Sequence, residues 1–275
     1  MIRITTLIEN SPGEHLALKH EHGLSFCIEA YDRKVLFDTG QSANFIDNAA
    51  QLRIGLDDLD YVVLSHGHYD HSGGLRALAE IAAGFELVVG EGFFVDKYAE
   101  RDGGYEFLGN NFTREFLDGR GIRYSQLSQP VRELVPGVYA LGGFPRIHRD
   151  EVVNPRFKLL RDGCFVSDHF DDEIMLVVDS PKGLIALLGC SHPGMRNMLD
   201  AVKERFDKPI LAVLGGTHLV EASDIGIKAA ADYLQSSEIG TIGVSHCTGA
   251  GPMKALSESQ KGYYHNRTGS CVVVM

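Results

Sequence analysis

Along the first ninety positions, apolar residues recur with the short period of strands. "IRITTLIE" (2–9), "GLSFCIEA" (23–30) and "KVLFDTG" (34–40) are β-branched or alternating, and turn residues separate them. "DYVVLSH" (60–66) reads as a buried strand, and "FELVVG" (85–90) as the strand that follows it. Between them the spacing predicts a helix over 73–84. Ser72 is its expected cap, Leu75, Leu78, Ala79 and Ala82 share one face, and Gly84 marks its end. Residues 91 to about 170 are less regular. They offer "RDGGYEFLGNN", a short helix after Thr113, and strand-like runs near "IRYSQL" and "GVYALGG". This stretch reads as an insertion over the face that carries the chemistry, where long loops form binding walls.

Periodicity returns with "EIMLVVDSPKGLIALLGCSH" (173–192), two apolar strands joined by a Ser-Pro-Lys-Gly turn. A helix from Pro193, a strand "PILAVLGG", a helix capped by Ser223, a strand "TIGVSH", a helix near "PMKALSES" and a last strand "SCVVV" complete the pattern. Strands alternating with helices imply βα units with helices packed outside a sheet. Four apolar strands run into polar, glycine-containing loops, at His66, His192, His218 and His246. Ligands in α/β sheets gather beyond such carboxyl ends of strands.

The 275 residues suit a single α/β domain over 1–275, with the irregular insertion at about 91–170 forming part of a site wall. There is no solenoid-length repeat, low-complexity tract or linker rich in Pro or Ser. Acidic residues outnumber basic ones, 37 to 26, for a net charge of -11, which argues against a nucleic-acid surface and a nuclease. No apolar run reaches a membrane span, and the start lacks the layout of a signal peptide. Cys27, Cys164, Cys190, Cys247 and Cys271 are odd in number and never form a C-x-x-C pair, as expected of reduced thiols in a cytoplasmic protein. The sequence is compatible with a homo-oligomer.

The chemistry concentrates in "LSHGHYDHSGGL" (64–75), which places His66, His68, Asp70 and His71 within six positions. In extended backbone, residues two apart point the same way, so His66 and His68 can grip one ion. A following helical turn swings Asp70 and His71 toward a second position. Gly67, Gly73 and Gly74 would permit the tight path. Imidazole with carboxylate suits Zn, Mn or Fe(II) better than Ca or Mg.

"SHGHYDHSGGL", with "LFDTG" (36–40) upstream, resembles the metallo-β-lactamase superfamily, whose fold is an αββα sandwich with a one- or two-metal site at one edge. Together with "EHGLSF" (21–26), "GCSHPG" (189–194), "GGTHL" (215–219) and "SHCTG" (245–249), these motifs are similar to the dihydropterin–ribofuranosylaminobenzene 5'-phosphate synthase-like subgroup. The resemblance implies one or two divalent metal ions, zinc first, with manganese or iron after it. His66, His68 and His192 would bind the first. Asp70, His71 and His246 would bind the second, with Asp38 holding the motif loop by hydrogen bonds. It also implies that the turn of Glu21 and His22 overhangs the site and contacts substrate; His218 either contacts substrate phosphate or closes a strand–helix loop. One departure stands out: where many members carry a metal-bridging Asp in a Gly-Asp pair, this chain reads Gly189-Cys190-Ser191-His192. Either water alone bridges, or Asp168 or Asp172 enters from the preceding loop, and His169 rivals His192 as third ligand. Cys190 and Cys247 are either soft donors or small buried residues at strand ends.

The function expected is a metal-dependent hydrolase or transferase acting on a phosphate-bearing, pterin-related small molecule, with Asp70 orienting the nucleophile and moving its proton. Glycine-rich strand ends, "LGGTHL" and "SHCTGAG", would offer N–H groups to phosphate near helix starts. The alternatives are a diiron-type oxidoreductase, whose relatives have H-x-E-x-D where this chain has His68, and a metal-bound sensor without catalysis.

Overall fold

The chain's computed structural model describes residues 1–82 and 84–275. In its first half, β1 (Ile2–Ile8), β2 (Ser25–Ala30), β3 (Arg33–Phe37), β4 (Tyr61–Val63) and β5 (Glu86–Val89) lie side by side. α1 (Asn44–Gln51) connects β3 to β4, and α2 (Tyr69–Ser72) and α3 (Leu75–Ile81) connect β4 to β5. The strands are buried on both faces, and alternation decides which core each residue enters. Phe26, Ile28, Val35, Phe37, Val63 and Val88 face a second sheet, while Cys27, Leu36, Val62, Leu87 and Val89 face the helices.

The stretch with the least periodicity holds seven strands and one helix: β6 (Lys97–Arg101), β7 (Gly104–Phe107), α4 (Arg114–Arg120), β8 (Arg123–Gln126), β9 (Val131–Val135), β10 (Val138–Leu141), β11 (Phe157–Arg161) and β12 (Cys164–Ser167). They are shared among three sheets. β8 extends the first sheet beyond β5, β9 and β10 begin the second, and β12-β11-β6-β7 form a small antiparallel sheet. Every residue of β7 and β12 is exposed, so neither strand carries a buried, apolar alternation to read. Thr113 does precede α4, and Gly121 ends it in the left-handed conformation at φ 66°.

The second half supplies β13 (Met175–Ser180), β14 (Gly183–Leu188), α5 (Met195–Arg205), β15 (Ile210–Gly216), α6 (Asp224–Ser236), β16 (Thr241–Ser245), α7 (Ala250–Ser259) and β17 (Cys271–Val274). β13 and β14 form the expected hairpin, and β14, β15 and β16 run parallel with α5 and α6 as crossovers. Ser223 caps α6, accepting a hydrogen bond from Gly226 N at 3.3 Å. Leu176, Val178, Ile185, Leu187, Ala212 and Leu214 meet the first sheet. Met175, Val177, Leu184, Ala186 and Val213 pack on the helices. Helix, sheet, sheet and helix thus stack as an αββα sandwich, as the resemblance implied. His66 follows β4, and His192, His218 and His246 follow β14, β15 and β16, so both sheets present their carboxyl ends to one edge.

Two local expectations change. Ser72 closes the short turn α2, its Oγ donating to His68 O at 2.9 Å, and α3 begins after Gly74 without a side-chain cap. The helix ends at Ile81, and residue 83 of the expected span lies outside the described residues. Gly73 and Gly74 have ordinary helical dihedrals, so their conformational freedom is not used. Space is: a Cβ would lie 2.5 Å from Gln41 O at Gly73 and 2.3 Å from Thr39 O at Gly74.

Asn48 of α1 clips the loop that carries residues 10–23 to this frame. It is fully buried, donates to Leu7 O and Lys19 O at 2.7 Å each, and accepts from Lys19 N at 2.8 Å. Asn48→Ala should lower unfolding free energy by about 2–4 kcal/mol, because buried backbone groups lose their partners. A shifted denaturation midpoint with an unchanged slope is the expected readout.

Candidate metal centre

The motif loop is held from behind by Asp38. This carboxylate is fully buried and accepts from Ser65 N at 2.7 Å, Ser65 Oγ at 2.8 Å and His71 Nδ1 at 2.6 Å. An ionised carboxylate only accepts, so the His71 proton sits on Nδ1 and Nε2 faces the site. That Nε2 lies 3.1 Å from both Cys190 Sγ and His246 Nε2. Burial opposes a charge on His71, but Asp38 and Asp70 overcome it and raise the group to about 9.

His66, His68 and His192 form the first group, with one nitrogen from each within 4.8 Å of the others. All three are buried, and the Nε2 atom of each has no hydrogen-bond partner. Burial holds all three well below the ordinary histidine value, so each offers a neutral lone pair. Converging unpartnered buried nitrogens are costly unless a cation satisfies them, and this donor set fits one divalent ion. The His192 ring stacks on Phe170 at 3.6 Å, which orients it. His169 is exposed, its carbonyl accepts from Arg146, and it joins no donor group among the described residues.

Asp70 and His246 form a second group, and His22 joins them. Asp70 Oδ2 lies 3.2 Å from His22 Nε2, 3.3 Å from His246 Nε2 and 3.7 Å from His71 Nε2. Burial alone would raise Asp70, but His71, His22 and His246 outweigh it and hold the carboxyl well below its usual range. His246 is pushed down to about 4 by burial, and its Nδ1 lies 2.9 Å from Asn10 Oδ1.

Several expected roles move. His22 was expected against substrate, yet its Nε2 sits among the second group's donors. Glu21 shares that loop but is a buttress: its oxygens accept from Gln41 N, Ser42 N, Ser42 Oγ and Asn44 Nδ2. Asp168 and Asp172 do not enter the donor groups, because the buried Lys97 ammonium engages them at 2.6 and 3.0 Å. Asp172 also accepts from Gly67 N at 2.9 Å, so the ion cluster braces the H-x-H segment. His218, at φ 50°, has its ring 4.3 Å from that of His192 and lines a cavity of about 340 Å³ with Ser191, Thr217 and Arg196.

Lys97 and Glu173 were not foreseen. Lys97 lies in an irregular stretch among other charges, Asp96, Glu100 and Arg101, and nothing local marks it as buried. Glu173 accepts from Cys190 N at 3.2 Å and Ser191 N at 2.9 Å, while its other oxygen has no hydrogen-bond partner, 3.9 Å from His66 Nδ1. Burial pushes its carboxyl up to about 8.

Lys97→Met should cost about 3–5 kcal/mol of unfolding free energy, because it leaves two carboxylates buried without their cation. Chemical denaturation checks this. Glu173 gives a pH signature in metal-free protein. Its folded value of about 8 exceeds the ordinary 4.5, so its contribution is complete below 4.5 and is lost as pH rises through 8. Glu173→Gln should flatten the decline in stability over that window, as measured by denaturation with a chelator present.

Residues 20–153 match the family model of the metallo-beta-lactamase superfamily. The chain is 33% identical to 7,8-dihydropterin-6-methyl-4-(beta-D-ribofuranosyl)-aminobenzene-5'-phosphate synthase of Methanocaldococcus jannaschii, over 90% of this chain and 88% of that one. It is 31% identical to an uncharacterized protein, MJ0448, of the same organism, over 86% and 88% of the two chains. Among solved structures it is similar to Tm1679, a metal-dependent hydrolase of the beta-lactamase superfamily. The TM-score is 0.87 at 30% identity, over 100% of this chain and 99% of that one. Sequence and fold agree over nearly the whole length, and the chain belongs to the metallo-β-lactamase superfamily.

Proposed function

We propose that this chain is a metal-dependent hydrolase or transferase acting on a phosphate-bearing small molecule of pterin-related type. The observation that carries the reading is the trio of unpartnered Nε2 atoms on His66, His68 and His192, beside a cavity walled by His192 and His218. His66, His68 and His192 would hold one ion, and Asp70, His71 and His246, with His22 beside them, a second. Zinc is favoured by the imidazole-rich set. Ions held there supply Lewis acidity and lower the pKa of a coordinated water to about 7.

The chain's own residues supply the rest. Asp70, whose carboxyl its histidine neighbours hold ionised, would orient the attacking oxygen and take up its proton on the carboxylate oxygen that does not hold the ion. His218 offers a polar contact to a phosphate seated in the cavity, whereas the Ser191 and Thr217 hydroxyls donate to Gly216 O and Thr248 Oγ1. The start of α5 is taken, because Glu151 accepts from Arg196 N at 2.9 Å and Asn197 N at 3.0 Å. Phosphate recognition would then fall to the loop after β15, which lines the cavity, since His246 N at the end of β16 donates to Glu9. The name of the 33% identical relative, a synthase of a ribofuranosyl-aminobenzene phosphate, supports the substrate class.

Metal-loaded protein would be assayed on an aryl phosphodiester, a phosphomonoester, a dihydropterin diphosphate and a penicillin-type lactam. Metal-dependent turnover of a phosphate compound is expected, falling about 100-fold or more in Asp70→Asn. His192→Ala should lose the first metal equivalent while His169→Ala retains it. Fast turnover of the lactam alone would overturn the substrate class, and full activity in Asp70→Asn would overturn the mechanism.

A further inference from the structure

Asn10 touches two histidines of the second group with one side chain, and its partners fix which end of the amide faces which ring. Its Oδ1 lies 3.1 Å from Gly23 N and 2.9 Å from His246 Nδ1, and its Nδ2 lies 3.3 Å from His22 Nδ1. A backbone N–H only donates, so the atom facing Gly23 is the oxygen and the amide cannot be turned round. That oxygen accepts from His246 Nδ1–H, whereas Asn10 Nδ2 donates to a bare His22 Nδ1. A neutral imidazole carries one N–H, so the two rings hold opposite tautomers: His246 presents a lone pair at Nε2, and His22 presents Nε2–H.

The opposite tautomers divide the atoms gathered at Asp70. His246 Nε2 lies 3.3 Å from Asp70 Oδ2 and 3.1 Å from Nε2 of His71, whose own proton is donated from Nδ1 to Asp38. No hydrogen joins these three atoms, and converging lone pairs suit a cation. His22 differs. Its Nε2–H reaches Asp70 Oδ2 over 3.2 Å, and its side chain is half exposed where the His71 and His246 rings are fully buried. Glu21 beside it anchors the loop, its carboxylate accepting from Gln41, Ser42 and Asn44.

We infer that Asn10 is a positioning residue that sets these two tautomers, keeping His22 out of the metal coordination as an N–H donor to an anionic oxygen of the substrate. This rests on the metal and phosphate reading proposed above. A phosphate oxygen entering on the exposed side of the ring would take the hydrogen bond now made to Asp70, with no transfer of the proton.

The test is nitrogen-15 magnetic resonance of zinc-loaded protein with labelled histidines, which distinguishes a protonated ring nitrogen from a bare one. Each ring is assigned by its absence from His22→Gln or His246→Gln. Wild type should show His22 protonated at Nε2 and His246 at Nδ1. In Asn10→Asp the carboxylate can only accept, so His22 should switch to Nδ1–H while His246 keeps its tautomer. His22→Ala should retain the wild-type number of zinc equivalents and turn over the phosphate compound about tenfold or more slowly. His22→Gln, which keeps an N–H donor, should recover part of that loss. A zinc equivalent lost in His22→Ala, a wild-type His22 protonated at Nδ1, a His22 tautomer unmoved in Asn10→Asp, or undiminished turnover in His22→Ala would overturn the inference while leaving the metal reading intact. Wild type that binds zinc but turns over no phosphate compound would overturn the proposed function and the acceptor assigned to His22, not the tautomers. Failure of wild type to bind zinc at all would overturn both readings.

Discussion

The site depends on one buried carboxylate. Asp38 ends β3 in a left-handed conformation at φ 61°, and its two oxygens collect Ser65 N, Ser65 Oγ and His71 Nδ1. A carboxylate removed from water is tolerable only when its lone pairs are used, and here they are used by both ends of the motif loop. The same hydrogen bonds therefore tie β3 to β4, set where the helical turn begins and choose the tautomer of His71. Without them the loop could fold, but its donors would have no common direction.

Two further constraints converge on that loop. Lys97, Asp168 and Asp172 form an internal ion cluster that reaches Gly67 N, and the Lys97 ammonium also lies 4.7 Å from the centre of the Phe170 ring, which stacks on His192. Glu9 and Asn10 reach His246 from the opposite side, by its backbone N at 2.6 Å and its Nδ1 at 2.9 Å. Donors on four separate loops are thus oriented by groups that are not donors themselves, as metal sites require. Burial keeps the first three imidazoles neutral, so their lone pairs stand free for a cation.

Placing these loops together is the work of the sandwich. The inter-sheet core of Phe26, Phe37, Val63, Leu187 and Leu214 sets the two sheets face to face, with their carboxyl ends at one edge. A shift of one residue in any of these strands would exchange its two cores and turn its terminal loop away. The cost of such a slip lies in apolar burial far from the chemistry, which is why the site needs no large apolar contacts of its own.

Sequence alone determined what depends on local pattern. The strands from β1 to β5 and from β13 to β16, the capped start of α6 and the H-x-H-x-D-H loop were legible, because period, turn residues and ligand spacing are properties of neighbouring positions. The motifs also carried the superfamily and its αββα layering. Tertiary structure decided which distant groups meet. It brought His192, not His169, beside His66 and His68, moved His22 in among the second group's donors and diverted Glu21 to the 40–44 turn. It also gave Asp168 and Asp172 to Lys97, out of the donor groups, and brought Cys190 within reach of His66 and His71. Whether a charged group serves as a ligand or as half of an ion pair depends on the desolvated partner within about 4 Å. That partner comes from another strand or loop, at a distance no local pattern encodes.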